Sequence, residues 1–402
     1  MAQSYFSKLI FICIVCWSIL TNAQQSELST WANQGSVSAS NYLSEIPFRY
    51  IDNYIFIDII HKGTTYNFLF DTGAEATVIS NTIIDNFKTT PYIETNITGP
   101  VIQNQKLKTL VIDTITVGTI KFNSIGAIAM ELKFAKTKFC NTVHGIIGST
   151  LMKKSKWQID YKNKVIRLTD TISKLRVPET ATMLTLKLSA KKWGTETIAV
   201  NIDGYESDFN FDTGNGRAAF VSNPKLHKKN LKKYKKDRVA YGFKNSKNDE
   251  YRIRVSAMDI GELHIENQLV TLEHSVGNRQ LMGNLFLENY TVTIDWESHK
   301  VYLDPSKIEI KKDIVHHELE FAPNFETNQL ELKSGKRAFT TAHQITSTAI
   351  VVLVNDYNLS NLTQIAFCDF WHTRWRDIYN KQEIHMVLEQ DGKTKEIVLT
   401  KS

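Results

Sequence analysis

Asn67-Phe68-Leu69-Phe70-Asp71-Thr72-Gly73 runs into Ala74-Glu75-Ala76-Thr77-Val78-Ile79-Ser80. The same pattern returns as Phe209-Asn210-Phe211-Asp212-Thr213-Gly214 before Asn215-Gly216-Arg217-Ala218-Ala219-Phe220-Val221-Ser222. Each copy is a phenylalanine-rich strand, a carboxylate, a tight turn and an apolar strand ending in Ser. Two such copies offer two aspartates that a two-fold fold would bring face to face. Facing carboxylates that share one proton can work as base and acid in the same step.

The repeat extends beyond those three letters. Ile146-Ile147-Gly148 follows the first copy and Leu281-Met282-Gly283 the second, with Gly148 77 residues after Asp71 and Gly283 71 residues after Asp212. Ile159-Asp160-Tyr161 then answers Ile294-Asp295-Trp296, and Lys164-Val165 answers Lys300-Val301. A further pair lies between, Thr116-Val117-Gly118-Thr119-Ile120 against Asp259-Ile260-Gly261-Glu262-Leu263. Alternating apolar runs with closely spaced turn residues make both halves mostly β. The order and spacing indicate a duplicated β domain rather than two unrelated ones.

In each turn the Asp sits where the chain bends, and Gly73 or Gly214 leaves backbone N–H groups free to reach the carboxylate. Thr72 and Thr213 have hydroxyls suited to crossing the interface to the opposite loop. The ionised member of a facing pair takes a proton from water, while the neutral member polarises a carbonyl. Neither a metal, a cofactor nor a covalent nucleophile is required.

These residues resemble the aspartic proteases of the pepsin and retropepsin kind, over about residues 45–305. The resemblance implies a bilobal pseudo-two-fold fold of two retropepsin-like β-barrel lobes, with Asp71 and Asp212 as catalytic dyad. It further implies Thr72 and Thr213 as an interlocking grip, Gly73 and Gly214 as active-site support, and polypeptides as substrates. One chain then suffices for the dyad, as a monomer. Where pepsin-type enzymes place Ser or Thr after the Gly, Ala74 and Asn215 stand here. Losing that donor on Asp71 makes the dyad less acidic and implies a mildly acidic pH optimum. Candidate flap residues are Ile97-Thr98-Gly99-Pro100 and Tyr241-Gly242-Phe243. The alternative is a catalytically silent peptide-binding protein using the same cleft. A sugar hydrolase also pairs two acids, but that reading leaves the identical turns unexplained.

At 402 residues the chain is long enough for two or three domains. Lys8 precedes the apolar run Leu9–Leu20, and Thr21-Asn22-Ala23 ends it on a small residue. This reads as a signal peptide over 1–23, with export to a periplasmic or extracellular location and no stable membrane insertion after its removal. Residues 24–44 read as a polar N-terminal segment, too short for an inhibitory propeptide and too polar to pack well. The lobes follow at 45–172 and 180–305. Cys140 and Cys368 remain after cleavage, 228 residues apart, and read as buried free thiols. The histidines and cysteines have no metal-ligand spacing. Much of the positive charge lies between Lys225 and Arg238, where Leu226, Leu231 and Tyr234 form one helical stripe. This reads as a solvated helix and not a nucleic-acid surface.

After a Lys-rich linker, Lys307 to Lys312, residues 313–402 form a small α+β unit. An apolar run reaches Asn355-Asp356, a helix spans Leu362 to Tyr379, and two strands flank an Asp391-Gly392 turn. This order resembles the back half of a PDZ domain, although no Gly-Leu-Gly-Phe-like loop is present. The resemblance implies addition of a peptide strand to its sheet edge, or a tethering role.

Overall fold

A computed structural model describes residues 27–87, 93–97, 105–132, 135, 138–188, 194–222, 232, 234, 239–241, 250–273, 279–306 and 317–400. The expected signal segment, the candidate flap residues 98–100 and 242–243, most of the basic stretch and the expected Lys307–Lys312 linker lie outside these residues. Within the basic stretch, Tyr234 is buried as its place on the stripe predicts.

The chain is mostly β, and its first two lobes are closed barrels built by one rule. In the first, Tyr54–His61 pairs antiparallel with Thr64–Phe70, which pairs parallel with Gly145–Ile147. The ring continues through Thr77–Ser80, Ile120–Met130 and Gln105–Val117, and closes back on Tyr54–His61. The second lobe repeats the same alternation with Thr197–Ile202, Tyr205–Phe211, Arg279–Met282, Ala219–Ser222, Leu263–Glu273 and Glu250–Ile260. Closure satisfies the backbone of every strand in the ring and leaves no barrel edge. The barrels therefore confirm the bilobal, retropepsin-like fold.

Apolar alternation explains the closure. Phe68 and Phe70 are fully buried in the first barrel, and Phe209 and Phe211 take the same places in the second. Each such side chain contributes about 1.5–3 kcal/mol on burial. Gly118 and Gly261, the matched glycines of the third repeat landmark, both turn a hairpin with positive φ, +61° and +58°.

The lobes share a six-stranded antiparallel sheet ordered Thr182–Thr185, Lys300–Pro305, Tyr290–Asp295, Lys156–Asp160, Val165–Thr169, Leu43–Pro47. One hairpin from each lobe meets at its centre, with Trp157 opposite Ile294 and Ile159 opposite Val292. The repeated Asp residues cap these hairpin turns. Asp160 accepts from the Asn163 N–H and Asp295 from the Glu297 N–H.

The N-terminal segment departs from expectation. A helix over 27–33 packs on the first barrel, where the Trp31 indole N–H donates to the Leu110 carbonyl at 3.0 Å. Ser36–Val37 then pairs with the strand Ile120–Met130. Few apolar side chains suffice, because Trp31 lies over Gly126, whose missing side chain leaves it room.

Residues 317–400 form an antiparallel sheet with the order Leu319–Asn324, Gln329–Gly335, Ile350–Val354, Glu383–Gln390, Lys393–Thr400. Asp391 and Gly392 turn the last hairpin with φ +52° and +72°, as the sequence predicts. The helix predicted from Leu362 begins at Gln364, capped by the Thr363 hydroxyl, and contains a π-helical stretch over Phe370–Trp375. This domain touches both lobes. The Trp371 indole N–H donates to the Asp52 carboxylate, and Arg252 forms a two-pronged ion pair with Glu320. Cys140 and Cys368 are half-buried and joined in a disulfide, Cα atoms 5.8 Å apart, which corrects the free-thiol reading. Sequence separation hid the pairing, since the fold carries the Cys368 helix onto the loop that holds Cys140.

Candidate active site

Each Asp-Thr-Gly turn joins two strands that do not pair with each other. Gly145–Ile147 lies between Thr64–Phe70 and Thr77–Ser80, and Arg279–Met282 lies between Tyr205–Phe211 and Ala219–Ser222. The inserted strand spreads the neck of each turn and fixes its first residue. The Asp71 N–H donates to the Ile147 carbonyl at 3.0 Å, and the Asp212 N–H to the Met282 carbonyl at 2.9 Å. This is the structural reason that an apolar-apolar-Gly segment follows each Asp at similar spacing.

The two threonines bind the turns to each other. Thr72 Oγ1 donates to the Phe211 carbonyl at 2.8 Å and accepts from the Thr213 N–H at 3.1 Å. Thr213 Oγ1 donates to the Phe70 carbonyl at 2.7 Å and accepts from the Thr72 N–H at 3.0 Å. Both side chains are buried. Four buried hydrogen bonds thus cross the pseudo-two-fold axis.

That grip holds the carboxylates together. The Gly73 N–H donates to Asp71 Oδ1 at 2.8 Å, and the Gly214 N–H to Asp212 Oδ1 at 3.0 Å. A methyl group built on Gly73 would stand 2.3 Å from Asp212 Oδ1, and one on Gly214 would stand 2.3 Å from Asp71 Oδ2. Only glycine admits so close an approach. These approaches set the Asp71 and Asp212 carboxyl groups face to face, where two like charges cannot both ionise cheaply. Burial pushes the Asp71 carboxyl above its ordinary range. The bond from Asp212 and the N–H groups of Gly73, Ala74 and Gly214 pull the other way without cancelling it. Asp71 keeps some solvent exposure and Asp212 is 8% exposed, so the pair is mostly buried but not sealed from solvent. All six predicted site residues converge here.

Ala74 offers the dyad its N–H and a methyl group, and the Asn215 carboxamide oxygen turns to the Arg217 N–H instead. The candidate flap residues that are described, Ile97 and Tyr241, end the first strands of two hairpins, opposite Gln105 and Glu250.

Sequence reasoning gave no role to Asn284, which is fully buried beside the site. Its Nδ2 donates to the Thr213 carbonyl at 2.6 Å and to the Asn53 carbonyl at 2.7 Å, while its Oδ1 accepts from Tyr161 at 2.7 Å. Asn284 therefore braces the second turn against the first lobe. At the matching place Ser149 bonds only within its own lobe, to the Glu75 carbonyl. The signal was the unequal pair Gly148-Ser149 and Gly283-Asn284 in otherwise parallel segments.

Among curated proteins none matches the chain. Its fold is similar to the crystal structure of Basic 7S globulin from soybean, at 8% identity and a TM-score of 0.42, over 66% of this chain and 95% of that one. Residues 57–151 match the aspartyl protease family, a match that supports protease chemistry and spans the Asp71-Thr72-Gly73 turn.

Proposed function

We propose that this protein is an exported aspartic endopeptidase, hydrolysing peptide bonds with water activated between Asp71 and Asp212. The observation that carries the reading is the close approach of two carboxylates from separate lobes, each set against the opposite Gly and clamped by the threonine grip. The ionised carboxylate accepts a proton from the attacking water while the protonated one donates to the carbonyl oxygen. The tetrahedral intermediate then collapses as the first proton passes to the leaving amine, one hydroxyl of the intermediate returns its proton to the carboxylate that had donated to the carbonyl oxygen, and the C–N bond breaks. Four cross-lobe bonds keep the geometry fixed through both transfers, which favours catalysis by preorganisation.

Export is supported by the N-terminal signal pattern and by the disulfide, a bond typical of oxidising compartments. Among the described residues no helix is long and apolar enough to cross a membrane. The PDZ-like reading of the C-terminal domain is part of this proposal, supported by the succession of strand Ile350–Val354, the helix from Gln364 and the hairpin Glu383–Gln390 and Lys393–Thr400.

The test is cleavage of a denatured protein mixture by wild type, with and without a statine-type peptide mimic, alongside Asp212→Asn. Inhibitor-sensitive cleavage that vanishes in the variant supports the enzyme. Saturable binding of the mimic with no cleavage by wild type would establish the silent peptide-binding alternative.

A further inference from the structure

The hairpin of Arg49–Ile51 and Tyr54–His61 turns in two residues. Ile51 faces Tyr54 across it, so Asp52 and Asn53 alone form the loop. Both have positive φ, +50° and +65°, the conformation that a tight hairpin requires and that Asp and Asn tolerate. One planar peptide joins them, so a shift of either residue moves the other.

The C-terminal domain holds the Asp52 end. The Trp371 indole N–H donates to the Asp52 carboxylate, 3.0 Å from one oxygen and 3.1 Å from the other. Trp371 lies in the π-helical stretch and stacks on the buried Trp375 at 5.6 Å. Cys368, three residues earlier, is tied to Cys140. The residues just before Cys140 pack on the same hairpin: the Phe139 ring meets Tyr54 edge to face at 5.3 Å, and Lys138 Nζ lies 3.9 Å from the Tyr54 ring centroid.

The Asn53 end holds the second Asp-Thr-Gly turn. Asn53 Nδ2 donates to the Gly216 carbonyl at 3.2 Å, and the Asn53 carbonyl accepts from Asn284. Asn284 also donates to the carbonyl of Thr213, the residue after Asp212. A methyl group built on Gly216 would stand 2.9 Å from the Tyr54 ring, so the hairpin and the second turn meet without slack. A continuous path of hydrogen bonds and one short loop thus runs from Trp371 to the turn that carries Asp212. The first turn has a different support at the matching place, since Ser149 bonds to the Glu75 carbonyl of its own lobe.

We propose that the C-terminal domain positions Asp212 for the reaction, acting from Trp371 through the Asp52–Asn53 turn and Asn284. For its effect on rate the inference rests on the proteolytic reading of the dyad. Trp371, Asp52 and Asn53 are positioning residues, acting on Asp212 through Asn284 and the second turn. Without the indole bond the loop can tilt, and its carbonyl draws Asn284 and Thr213 with it. A misplacement of roughly 1 Å at reacting groups costs on the order of 100-fold in rate, so a fraction of that shift gives a measurable loss.

The experiment compares the full, disulfide-bonded chain with Trp371→Phe, which keeps an aromatic ring against Trp375 and removes the indole N–H. Steady-state hydrolysis of a peptide should show kcat lower by about fivefold with KM within about twofold. Amide hydrogen exchange needs no substrate. Over residues 212–216, where the Thr213, Gly214 and Asn215 N–H groups are all bonded, it should rise at least about threefold. The strands Leu319–Asn324 and Gln329–Gly335 should exchange as in wild type. Asn53→Gly keeps the positive φ but removes the bond to Gly216, so it should act in the same direction. Combined with Trp371→Phe, it should lower kcat by less than the product of the two single losses. Losses that multiply, a parallel rise across the C-terminal strands, or exchange over 212–216 equal to wild type in both variants would overturn the proposal. So would raised exchange with kcat unchanged in an active enzyme. If wild type hydrolyses nothing while Trp371→Phe raises exchange over 212–216, the proteolytic reading alone falls and the positioning path stands. If wild type hydrolyses peptides and Trp371→Phe changes neither rate nor exchange, the positioning path alone falls.

Discussion

Asp71 carries a conflict between folding and chemistry. Its carboxyl is raised by burial, so the folded chain holds a proton that the unfolded chain releases above the ordinary carboxylate range. Stability contributed by that proton is present in acid and lost as pH rises. Asp71→Asn should therefore melt higher than wild type at pH 7, by on the order of 2–4 °C, and the gap should close at pH 3. Hydrolysis by the same variant should fall about 1,000-fold, because half of the acid–base pair is gone. A thermal melt and a rate assay on one preparation check both outcomes. The raised carboxyl also places the rate maximum in mild acid, and a profile peaking near pH 2 would contradict it. The two aspartates, their threonines and their glycines were legible because the chemistry forces one short word to be spelled twice. Asn284 was not, since a brace made of backbone acceptors leaves no spacing rule in the chain.

The Asp-Thr-Gly turns depend on elements that are distant in sequence. Thr72→Val keeps the shape of the side chain but removes its bonds to Phe211 and Thr213. Each buried partner left unsatisfied costs about 1–3 kcal/mol, a loss that urea denaturation should read directly. Because the same change loosens the dyad, kcat should fall more than KM rises. At this scale the sequence was informative wherever a strand ended in a turn residue, as at Gly118, Gly261 and Asp391-Gly392. It misled at residues 27–37, where polarity argued against packing. There a single Trp31 over Gly126, together with a two-residue strand pairing, supplied what composition did not advertise.

The C-terminal domain is held to the lobes by contacts of different chemistry, and acid should separate them. Glu320 is depressed from 4.5 to about 2, so its contribution is complete above pH 4.5 and fades as pH falls toward 2. The shift corresponds to about 3 kcal/mol for a carboxylate that is mostly buried. The disulfide is indifferent to this protonation, and closing a 228-residue separation stabilises the chain by about 5 kcal/mol in the chain-entropy picture. Hydrogen exchange along the strands bearing Arg252 and Glu320 should rise between pH 5 and 3 in wild type. In a Cys140→Ser, Cys368→Ser variant the whole domain should come loose over the same range. Neither anchor was readable beforehand, because ion pairs and disulfides between remote segments follow from the assembled fold and not from local pattern.

Both paired carboxylates ride on one backbone, zipped across the sheet where Trp157 faces Ile294. Their encounter is intramolecular, so dilution cannot part them as it would two identical subunits. Turnover per molecule should stay constant from concentrated stock to trace amounts. Covalent union also releases the halves from being copies of each other, which is why one can hold Asn284 where the other keeps Ser149.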